Sequence, residues 1–461
     1  MKVCLLIPDG IGIRNYLYSN IIPLLNDRAV QIAVWHSLDK AVMKETERIN
    51  PKMNFEEYQF RFYKEDPFPR FLRDCVGYAR LMVNSKIEDN PTILDNWLPK
   101  KNFKGKVSNF LAKKLGGTFD NLDKITKVDT IIQHQNRKSS AYKQYKEDLK
   151  KIKPDVILCT HQREPNAGIA MLAANDLGIK TVTAIFSWDN LPKGRLPMRA
   201  QNYLVWSNYM RSELLKYFPD IKEESIQITG TPQFDFYSNK NLIQSKEEFA
   251  AEYGLDPSKR WVCFSGDDSL TSPHDPIYLK DIGEALDQAE DLEILFRPVP
   301  VEGFERYQSV LDKYPFIKTL VPKWKKGELW NKFFPYPEDI AVLVNLAYHA
   351  DTVINVGSTM ALDFSQFNKP GLYVNYEVDK NHPWSIERVY KFQHFKTFKD
   401  LDAVGWINSK DEILPMVRKA INTPDELAKD RLKWKERIVF QDLESSAAQR
   451  IVNFLTPSTI Q

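Results

Sequence analysis

Cysteine is scarce in this chain of 461 residues, and the spacing of its four cysteines argues against a disulfide scaffold. Cys4, Cys75, Cys159 and Cys263 are scattered, and no Cys-x-x-Cys pair occurs. Disulfide frameworks and structural zinc sites need cysteines at short, repeated spacings. Three of the four lie inside apolar runs. We therefore expect buried free thiols, a reducing compartment and hence a cytoplasmic protein.

Long hydrophobic runs are absent as well. No segment approaches the roughly 18 apolar residues that a membrane-spanning helix needs. The apolar run Val3–Pro8 is too short for the core of a signal peptide, and no small-residue cleavage site follows it. The sequence therefore predicts no membrane span. It leaves open a peripheral attachment to the inner face of the cell membrane.

The signature motifs of several enzyme classes do not occur either. There is no Gly-x-Ser-x-Gly elbow, no phosphate loop ending in Gly-Lys-Ser/Thr and no His-Glu-x-x-His. The histidines show no metal-ligand spacing. Serine hydrolases, phosphate-loop nucleotide triphosphatases and zinc proteases are therefore disfavoured, and no metal is expected.

What the chain does have is ample material for packed cores and an uneven charge. Hydrophobic residues make up 43% of it, which is enough for packed cores, and the length of 461 residues predicts two or three domains. The net charge is only +3, yet residues 97–153 hold fifteen Lys or Arg against five Asp or Glu. Such asymmetry predicts an acidic partner or a membrane surface for that segment.

Strand-like apolar runs alternate with helical patterns, which is typical of parallel α/β structure. The predicted strands are residues 2–7, 30–35, 156–160, 181–185, 202–206, 225–229, 261–265, 292–297, 316–320, 352–356 and 371–375. The polar segment Phe236–Arg260 separates two halves of similar size. We predict two Rossmann-like, doubly wound domains facing a cleft, residues 1–235 and 258–425. A basic helical insertion is predicted at about 85–153, and a C-terminal helix, 426–461, is predicted to pack back on the first domain.

Polar residues that follow strands are the candidate site residues, because ligands of doubly wound sheets bind at the carboxyl ends of the strands. Asp9, Gly10 and Arg14 follow the first strand, where Gly10 and Gly12 permit a tight turn. Asp9 is the predicted general base for an acceptor hydroxyl, with Gly10 and Arg14 beside the acceptor. The structural alternative is that Asp9 caps the next helix or pairs with Arg14.

A second polar loop, Thr-His-Gln-Arg-Glu-Pro-Asn, follows the strand that ends at Cys159. His161 is a candidate base or a hydrogen-bond donor to a sugar, and Arg163 is a candidate contact to the acceptor. The alternative for His161 is a structural histidine whose hydrogen bonds are satisfied within the domain.

A third loop, Ser187–Arg195, is dense in polar residues. Trp188 can stack on a sugar face, while Asp189 and Asn190 can bond its hydroxyls. Lys193 can hold an anionic acceptor. Asp189 is also a further candidate for the catalytic base.

Three strand ends of the second half carry small residues or a cation. These residues are Ser265, Gly266, Arg297, Gly357, Ser358 and Thr359. A helix N-terminus and hydroxyl groups suit a phosphate, and an arginine can bind one bidentately. We predict that these residues ring the phosphates of a nucleotide donor. The alternative for Gly357–Thr359 is an ordinary capped turn, and the alternative for Arg297 is a pair with Asp267 or Asp268. Asp339 is expected as the N-cap of its helix.

The basic segment 99–115 interleaves lysines with apolar residues at roughly the spacing of one helical face. The apolar residues are Phe103, Val107, Phe110, Leu111 and Leu115. Such a helix suits an anionic membrane surface or a lipid-pyrophosphate acceptor. The alternative is a helix whose apolar face packs on the domain. No nucleic-acid partner is expected, because no recognition motif accompanies the charge.

Two stretches resemble the GT-B glycosyltransferases, especially the branch of CDP-glycerol glycerophosphotransferases and bacterial surface-polysaccharide transferases. One holds Val205-Trp-Ser-Asn-Tyr-Met-Arg-Ser-Glu-Leu and Ile228-Thr-Gly-Thr-Pro-Gln-Phe-Asp; the other runs from Leu295-Phe-Arg-Pro to Lys369-Pro. The resemblance covers about residues 155–375. It implies that Ser358 and Thr359 hold the donor phosphate in the second domain. The branch usually shows Arg-Pro-His-Pro where this chain has Arg-Pro-Val-Pro, which disfavours a CDP- or CMP-linked donor.

We therefore expect an inverting, metal-independent glycosyltransferase that needs no cofactor besides its nucleotide-sugar substrate. It would move the sugar to a glycan or lipid-linked glycan acceptor in bacterial surface polysaccharide or glycoconjugate biosynthesis. Arg297 and the helix dipole would stabilise the leaving group. The alternatives are a nucleotide-sugar epimerase of the same fold, a polyol-phosphate transferase of the CDP-glycerol type and a non-catalytic binding protein.

Overall fold

The structure is a computed structural model that describes residues 1–98, 100, 102–325, 333–442 and 444–457. The chain divides into two compact units. The first comprises Met1–Gln233, Phe392–His394 and Ile438–Gln461, and the second comprises Phe234–Lys391 and Phe395–Arg437. Each unit is built on its own parallel sheet, which confirms the predicted α/β class with two Rossmann-like domains.

The first unit contains a seven-stranded parallel sheet. Its strands are β1 (Lys2–Ile7), β2 (Gln31–His36), β3 (Glu56–Gln59), β4 (Val156–Cys159), β5 (Lys180–Ala184), β6 (Asn202–Val205) and β7 (Ile226–Ile228). Their order is β3-β2-β1-β4-β5-β6-β7. The chain builds outward from β1 in one direction and then restarts from β4 in the other, so the strand order reverses between β1 and β4.

Helices of the first unit cover this sheet and add a helical layer to it. They are α1 (Ile21–Asp27), α2 (Lys40–Ile49), α3 (Pro67–Glu88), α4 (Phe103–Gly116), α5 (Leu122–Asn136), α6 (Ser140–Ile152), α7 (Pro165–Asp176) and α8 (Asn208–Tyr217). Helices α3 to α6 stand between β3 and β4. Their core joins α3 to α5 through Leu72, Val76, Ile125 and Ile132. This layer begins at Pro67 and not near residue 85, because α3 continues for 22 residues without a break.

The second unit contains a six-stranded parallel sheet and a short antiparallel pair. The sheet consists of β8 (Arg260–Ser265), β9 (Leu292–Arg297), β10 (Lys318–Thr319), β13 (Thr352–Asn355), β14 (Gly371–Val374) and β15 (Gly405–Ile407). The pair is β11 (Trp324–Lys325) with β12 (Phe334–Pro335). The sheet order is β10-β9-β8-β13-β14-β15, so the reversal lies between β8 and β13.

The second unit's helices alternate with its strands. They are α9 (Lys246–Tyr253), α10 (Asp275–Leu286), α11 (Gln308–Lys313), α12 (Pro337–His349), α13 (Met360–Ser365), α14 (Ile386–Tyr390), α15 (Ile413–Asn422) and α16 (Arg431–Ile438). Helix α13, which follows the Gly-Ser-Thr turn, is only six residues long.

The single C-terminal helix predicted for 426–461 is two helices in the structure. Helix α16 ends at Ile438, and α17 (Ala447–Leu455) starts at its own N-cap, Ser446, whose side chain accepts a hydrogen bond from the Gln449 N–H. Helix α17 lies in the first unit beside α1, where Arg28 donates to the Thr456 hydroxyl at 2.7 Å. Leu443 and residues 458–461 of the predicted helix lie outside the described residues.

All four cysteines are buried and unpaired. Among the residues that the structure describes, no helix combines the length and the apolar character needed to cross a membrane.

Candidate functional site

Two titratable side chains meet at the strand-order reversal of the first unit. Asp9 follows β1 and His161 follows β4, and Asp9 Oδ2 lies 2.6 Å from His161 Nδ1. The other oxygen of Asp9, Oδ1, accepts a hydrogen bond from the Ile11 N–H at 3.1 Å. Asp9 is only 3% exposed. Both of its oxygens therefore have partners inside the unit. The capping alternative for Asp9 applies to Oδ1, and Oδ2 contacts His161.

Gly12 explains why the turn after β1 approaches the end of β4 so closely. A Cβ atom at this position would lie 2.6 Å from Thr160 Oγ1, nearer than any side chain tolerates. Because Gly12 has no side chain, the short 3-10 turn Gly10–Gly12 packs directly against Thr160. Because His161 is the residue after Thr160, this contact also holds Asp9 against His161.

The geometry suits His161 for proton transfer. A carboxylate at Nδ1 favours the tautomer with the proton on that nitrogen, which leaves the Nε2 lone pair free to accept a proton. The imidazole is half-buried and packs edge-on against Phe186, with ring centroids 4.5 Å apart. A nitrogen base oriented by a carboxylate is the arrangement that general-base enzymes use to deprotonate a substrate. The predicted base, Asp9, lies where an orienting group would lie.

Charged side chains in the loop after β5 pair with each other. Asp189 accepts a hydrogen bond from the Ser187 hydroxyl at 2.5 Å and forms an ion pair with Lys193. Burial works against the charged carboxylate, but Lys193, His394 and the hydrogen bonds together lower the pKa of Asp189 below its ordinary value. A carboxylate held ionised in this way is a weak base, and the charge of Lys193 is already balanced.

The other predicted acceptor residues are divided between the interior and the surface. Trp188 is buried, with its ring edge-on to His394 at 4.9 Å. Burial lowers the pKa of His394 to about 4, so this ring is neutral at physiological pH. Arg163 is exposed and donates from Nη1 to Asn190 Oδ1 at 2.7 Å.

Gly10 and Arg14 are both half-buried and lie on the turn and the short helix after β1. They stay within a few residues of Asp9. Gly10 and Arg14 are therefore neighbours of Asp9 along the chain. The structure links Arg163 with Asn190, and Asp189 with Lys193.

Small residues gather at the reversal of the second unit. Ser265 ends β8 and Gly266 follows it, and the turn Gly357–Thr359 comes after β13, the neighbouring strand. Gly357 has φ +70°, and a Cβ there would lie 2.7 Å from Phe395 Cζ, so this position requires glycine. Thr359 is exposed, and its hydroxyl makes no capping bond to α13. The backbone N–H of Ser358, in contrast, already donates to Asn355 Oδ1 at 2.9 Å.

Arg297 lies beside these residues but its guanidinium is occupied. It is 3% exposed and donates from Nη2 to both oxygens of Asp339, at 2.7 and 2.8 Å. Asp339 also accepts from the Lys323 N–H and from Trp324 Nε1, each at 2.7 Å. The partner of Arg297 is therefore Asp339 and not Asp267 or Asp268. Asp339 is no cap either, because the N-cap of α12 is Tyr336. Phosphate binding by Arg297 stays a prediction.

Two acids after β8 were not among the predicted site residues. The Asp267 N–H donates to Asp275 Oδ2 at 2.6 Å. Burial, followed by the charge of Asp275, raises the pKa of Asp267 to about 7, and burial raises the pKa of Asp275 to about 6. The sequence carries a signal for them, since both come soon after the strand at the reversal. Within the described part of the chain, no group of three or more His, Cys, Asp or Glu is arranged to hold a metal ion.

Solved structures share this fold along almost the whole chain. The UDP complex of S. aureus MnaA is 13% identical with a TM-score of 0.53, over 99% of this chain and 96% of that one. The Methanocaldococcus jannaschii UDP-GlcNAc 2-epimerase, in complex with UDP-GlcNAc and UDP, is 13% identical with a TM-score of 0.51, over 99% of both chains. A glycosyltransferase from Rickettsia africae is 11% identical with a TM-score of 0.53, over 100% of this chain and 99% of that one.

Sequence comparison adds no closer relative: no protein-family model and no curated protein matches the chain. At identities of 11–13% the structural likeness shows the fold alone. The chain therefore has a GT-B-like fold of two Rossmann-like units, as predicted, while nothing in the comparisons singles out the CDP-glycerol branch.

Proposed function

We propose that the protein acts on a nucleotide sugar, in the first place as a nucleotide-sugar epimerase. Two observations support an epimerase ahead of the glycosyltransferase expected from the sequence. The fold matches UDP-GlcNAc 2-epimerases along almost the full length of both chains, one of them with UDP-GlcNAc bound. The buried Asp9–His161 pair at the first reversal supplies an oriented proton-transfer group, and this pair carries the proposal.

Each residue of the pair has its own role in this proposal. Epimerisation by proton exchange needs a group that removes a carbon-bound proton and a group that returns one to the opposite face. His161 Nε2 is the proposed base, and solvent water is the proposed source of the proton that returns to the opposite face. Asp9 is the proposed positioning residue, because it holds the ring through Nδ1 and would stabilise the imidazolium that forms.

The second unit is the proposed site of the nucleotide. Five of the six predicted donor residues, Ser265, Gly266, Gly357, Ser358 and Thr359, converge at its reversal. The two glycines there allow tight turns, with Gly266 packed against Tyr307 and Gly357 against Phe395. The exposed Thr359 hydroxyl adds a donor. Arg297 is not proposed to bind the phosphates directly, since its hydrogen bonds go to Asp339 and to the Leu320 carbonyl.

Glycosyl transfer is the second candidate, supported by the equally extensive fold match to the Rickettsia africae glycosyltransferase. In that case His161 would take the proton of an acceptor hydroxyl, and a glycan or lipid-linked glycan would be the acceptor. A cytoplasmic location belongs to the same proposal, because four buried free thiols fit a reducing compartment.

One pair of experiments separates these outcomes. Thermal shift against UDP, GDP, dTDP, CMP, CDP and ADP identifies the nucleotide, since a ligand that binds only the folded state raises Tm. The matching sugar nucleotide is then followed by NMR in D2O without an acceptor. An epimerase produces the epimer with deuterium at the inverted carbon. A transferase leaves the sugar intact until an acceptor is added.

The variant His161→Gln tests the base directly. We expect turnover to fall by about 10²- to 10⁴-fold while the nucleotide thermal shift is retained. His134→Gln, an exposed histidine on α5, is the matched control. Full activity in His161→Gln would remove His161 as the base, and no shift with any nucleotide would overturn the proposed function itself.

A further inference from the structure

Helix α4 turns large apolar side chains toward solvent. Phe103 is 81% exposed and Phe110 is 60% exposed, and Val107 and Leu111 are also exposed. Their spacing of four, three and one residues places them on one face of the helix. Contiguous exposed apolar side chains of this kind mark interaction surfaces.

The opposite face of α4 explains why the apolar one stays outside. Its buried residues are Asn109, Ala112 and Gly116, all small or polar. A Cβ at Gly116 would lie 2.4 Å from the carbonyl oxygen of Cys75, so only glycine allows α4 to approach α3 this closely. The helix is therefore seated through its small residues. The alternative that its apolar face packs on the domain is wrong.

Lysines surround the exposed apolar face, and most of those that the structure describes have no acid beside them. Residues 97–119 contain six lysines and neither Asp nor Glu. Lys100 pairs with Asp74, but Lys104, Lys106, Lys113 and Lys114 form no ion pair with any residue that the structure describes. Pro99 and Lys101 of the predicted segment lie outside the described residues.

We propose that this face of α4, Phe103, Val107, Phe110 and Leu111 with its flanking lysines, docks on an anionic lipid bilayer. The apolar side chains would enter the boundary of the acyl region while the lysines contact lipid phosphates, as interfacial amphipathic helices do. Charge selects this occupant. A second copy of the same face would bring lysines against lysines, which disfavours self-association.

Vesicle sedimentation with the full chain tests the proposal without any nucleotide or sugar. We expect binding to vesicles of phosphatidylcholine with phosphatidylglycerol, much weaker binding to phosphatidylcholine alone, and a decrease as salt rises. Phe103→Ser with Phe110→Ser should weaken binding on the order of tenfold or more. Both positions are exposed, so the thermal unfolding of this variant should match that of the parent protein.

The contribution of the α4 lysines is tested with a control variant that has the same net charge. Lys104→Glu, Lys106→Glu and Lys113→Glu together should weaken binding about a hundredfold or more, since each lysine near the membrane contributes roughly a factor of five. Lys127→Glu, Lys138→Glu and Lys143→Glu on and after α5 change the net charge equally, at exposed positions. They should leave most of the binding intact.

Three results would overturn the proposal. The first is equal binding to neutral and anionic vesicles. The second is a loss in the control variant as large as that in the α4 lysine variant. The third is a dimer by light scattering that the Phe103→Ser, Phe110→Ser variant abolishes, because the face would then bind a second copy.

Discussion

The two units place different chemistry at the same topological position. At the reversal of the first sheet stand the side chains of Asp9 and His161, 2.6 Å apart. At the reversal of the second sheet stand small residues, Ser265, Gly266 and the Gly357–Thr359 turn. The first arrangement suits proton transfer, and the second, with small residues and the exposed Thr359 hydroxyl, suits a phosphate group. Topology therefore selects where a site forms, and a few local residues select what it does.

The ion pairs of the two units differ in the same way. Arg297 and Asp339 share two hydrogen bonds in the interior, and Asp339 also receives hydrogen bonds from Lys323 and Trp324. This pair is closed, because its atoms are satisfied within the unit. The Asp9–His161 pair leaves Nε2 of the imidazole available. We therefore expect the closed pair to matter for stability and the open pair for activity.

Breaking the closed pair should have the largest effect. Asp339→Ala leaves the guanidinium of Arg297 buried without a counter-charge, which we expect to lower the free energy of unfolding by about 3–5 kcal/mol. Denaturant unfolding measures this loss. Asp312→Ala, an exposed acid on α11, is the control and should change stability by less than about 0.5 kcal/mol. Equal stabilities of the two variants would mean that Arg297 finds another partner or water.

Weakening the open pair should reduce turnover and spare the fold. Asp9→Asn removes the charge that orients His161, so we expect about a hundredfold lower turnover of the sugar nucleotide by NMR. Denaturant unfolding should move by no more than about 1 kcal/mol. Asp27→Asn, at the exposed end of α1, serves as control. Normal turnover in Asp9→Asn would show that His161 needs no carboxylate, whereas a large loss of stability would make the pair structural.

The second reversal can be tested through its backbone. Gly357→Ala places a methyl group at φ +70° and against Phe395, and we expect a loss of about 1–2 kcal/mol together with weaker nucleotide binding. Gly254→Ala isolates the backbone contribution, because Gly254 has φ +64° and no atom within 4 Å of its Cβ position. It should destabilise less and leave the nucleotide thermal shift unchanged. Identical behaviour of the two variants would mean that the turn accommodates the methyl group.

An effect that is confined to the pH dependence of stability concerns a buried acid of the first unit. Burial, with the charges of Glu88 and Asp189, raises the pKa of Glu213 to about 8 from its ordinary 4.5. The folded state thus binds a proton that the unfolded state has released, so stability falls as pH rises from about 4.5 to 8. Glu213→Gln removes this dependence, and between pH 5 and pH 8 we expect its stability to fall less than that of the parent protein, by up to about 1.4 kcal/mol for each pH unit.

Unfolding of both proteins at pH 5 and pH 8 checks this expectation. The acids Asp267 and Asp275 of the second unit also have raised pKa values, but they are present in both proteins and cancel in the difference. Parallel pH profiles would show that Glu213 stays ionised inside the unit. An added Asp267→Asn variant then assigns the remaining slope to the second unit.

The strands could be predicted where burial is continuous and not where the sheet meets solvent. β1 and β9 begin and end at the predicted residues, because each is a buried and mostly apolar run between polar turns. β3, Glu-Glu-Tyr-Gln, was missed because it is an edge strand with mostly exposed side chains. β15 was missed because three residues give no measurable alternation.

The site was harder to predict because it depends on pairings between distant residues. Asp9 and His161 were each recognised, but as rivals for one role, since their contact follows from the register of β1 with β4. For Arg297, the alternative to phosphate binding was a pair with Asp267 or Asp268, which follow the neighbouring strand β8. The actual partner, Asp339, is 42 residues away in the sequence, on helix α12. Strand-end chemistry is readable from sequence, whereas the partner of a buried charge is not.

The position of α17 has a consequence for the order in which the molecule is completed on the ribosome. The chain emerges at roughly 5–20 residues per second, and domains generally fold in the order of synthesis. The first unit starts first, yet β1 must wait for β4, and α1 must wait for α17, a helix that follows every strand of the second unit. The second unit can therefore finish while the first is still open along α1. A fragment that stops at Gln233 would keep all seven strands and remain permanently at that unfinished stage.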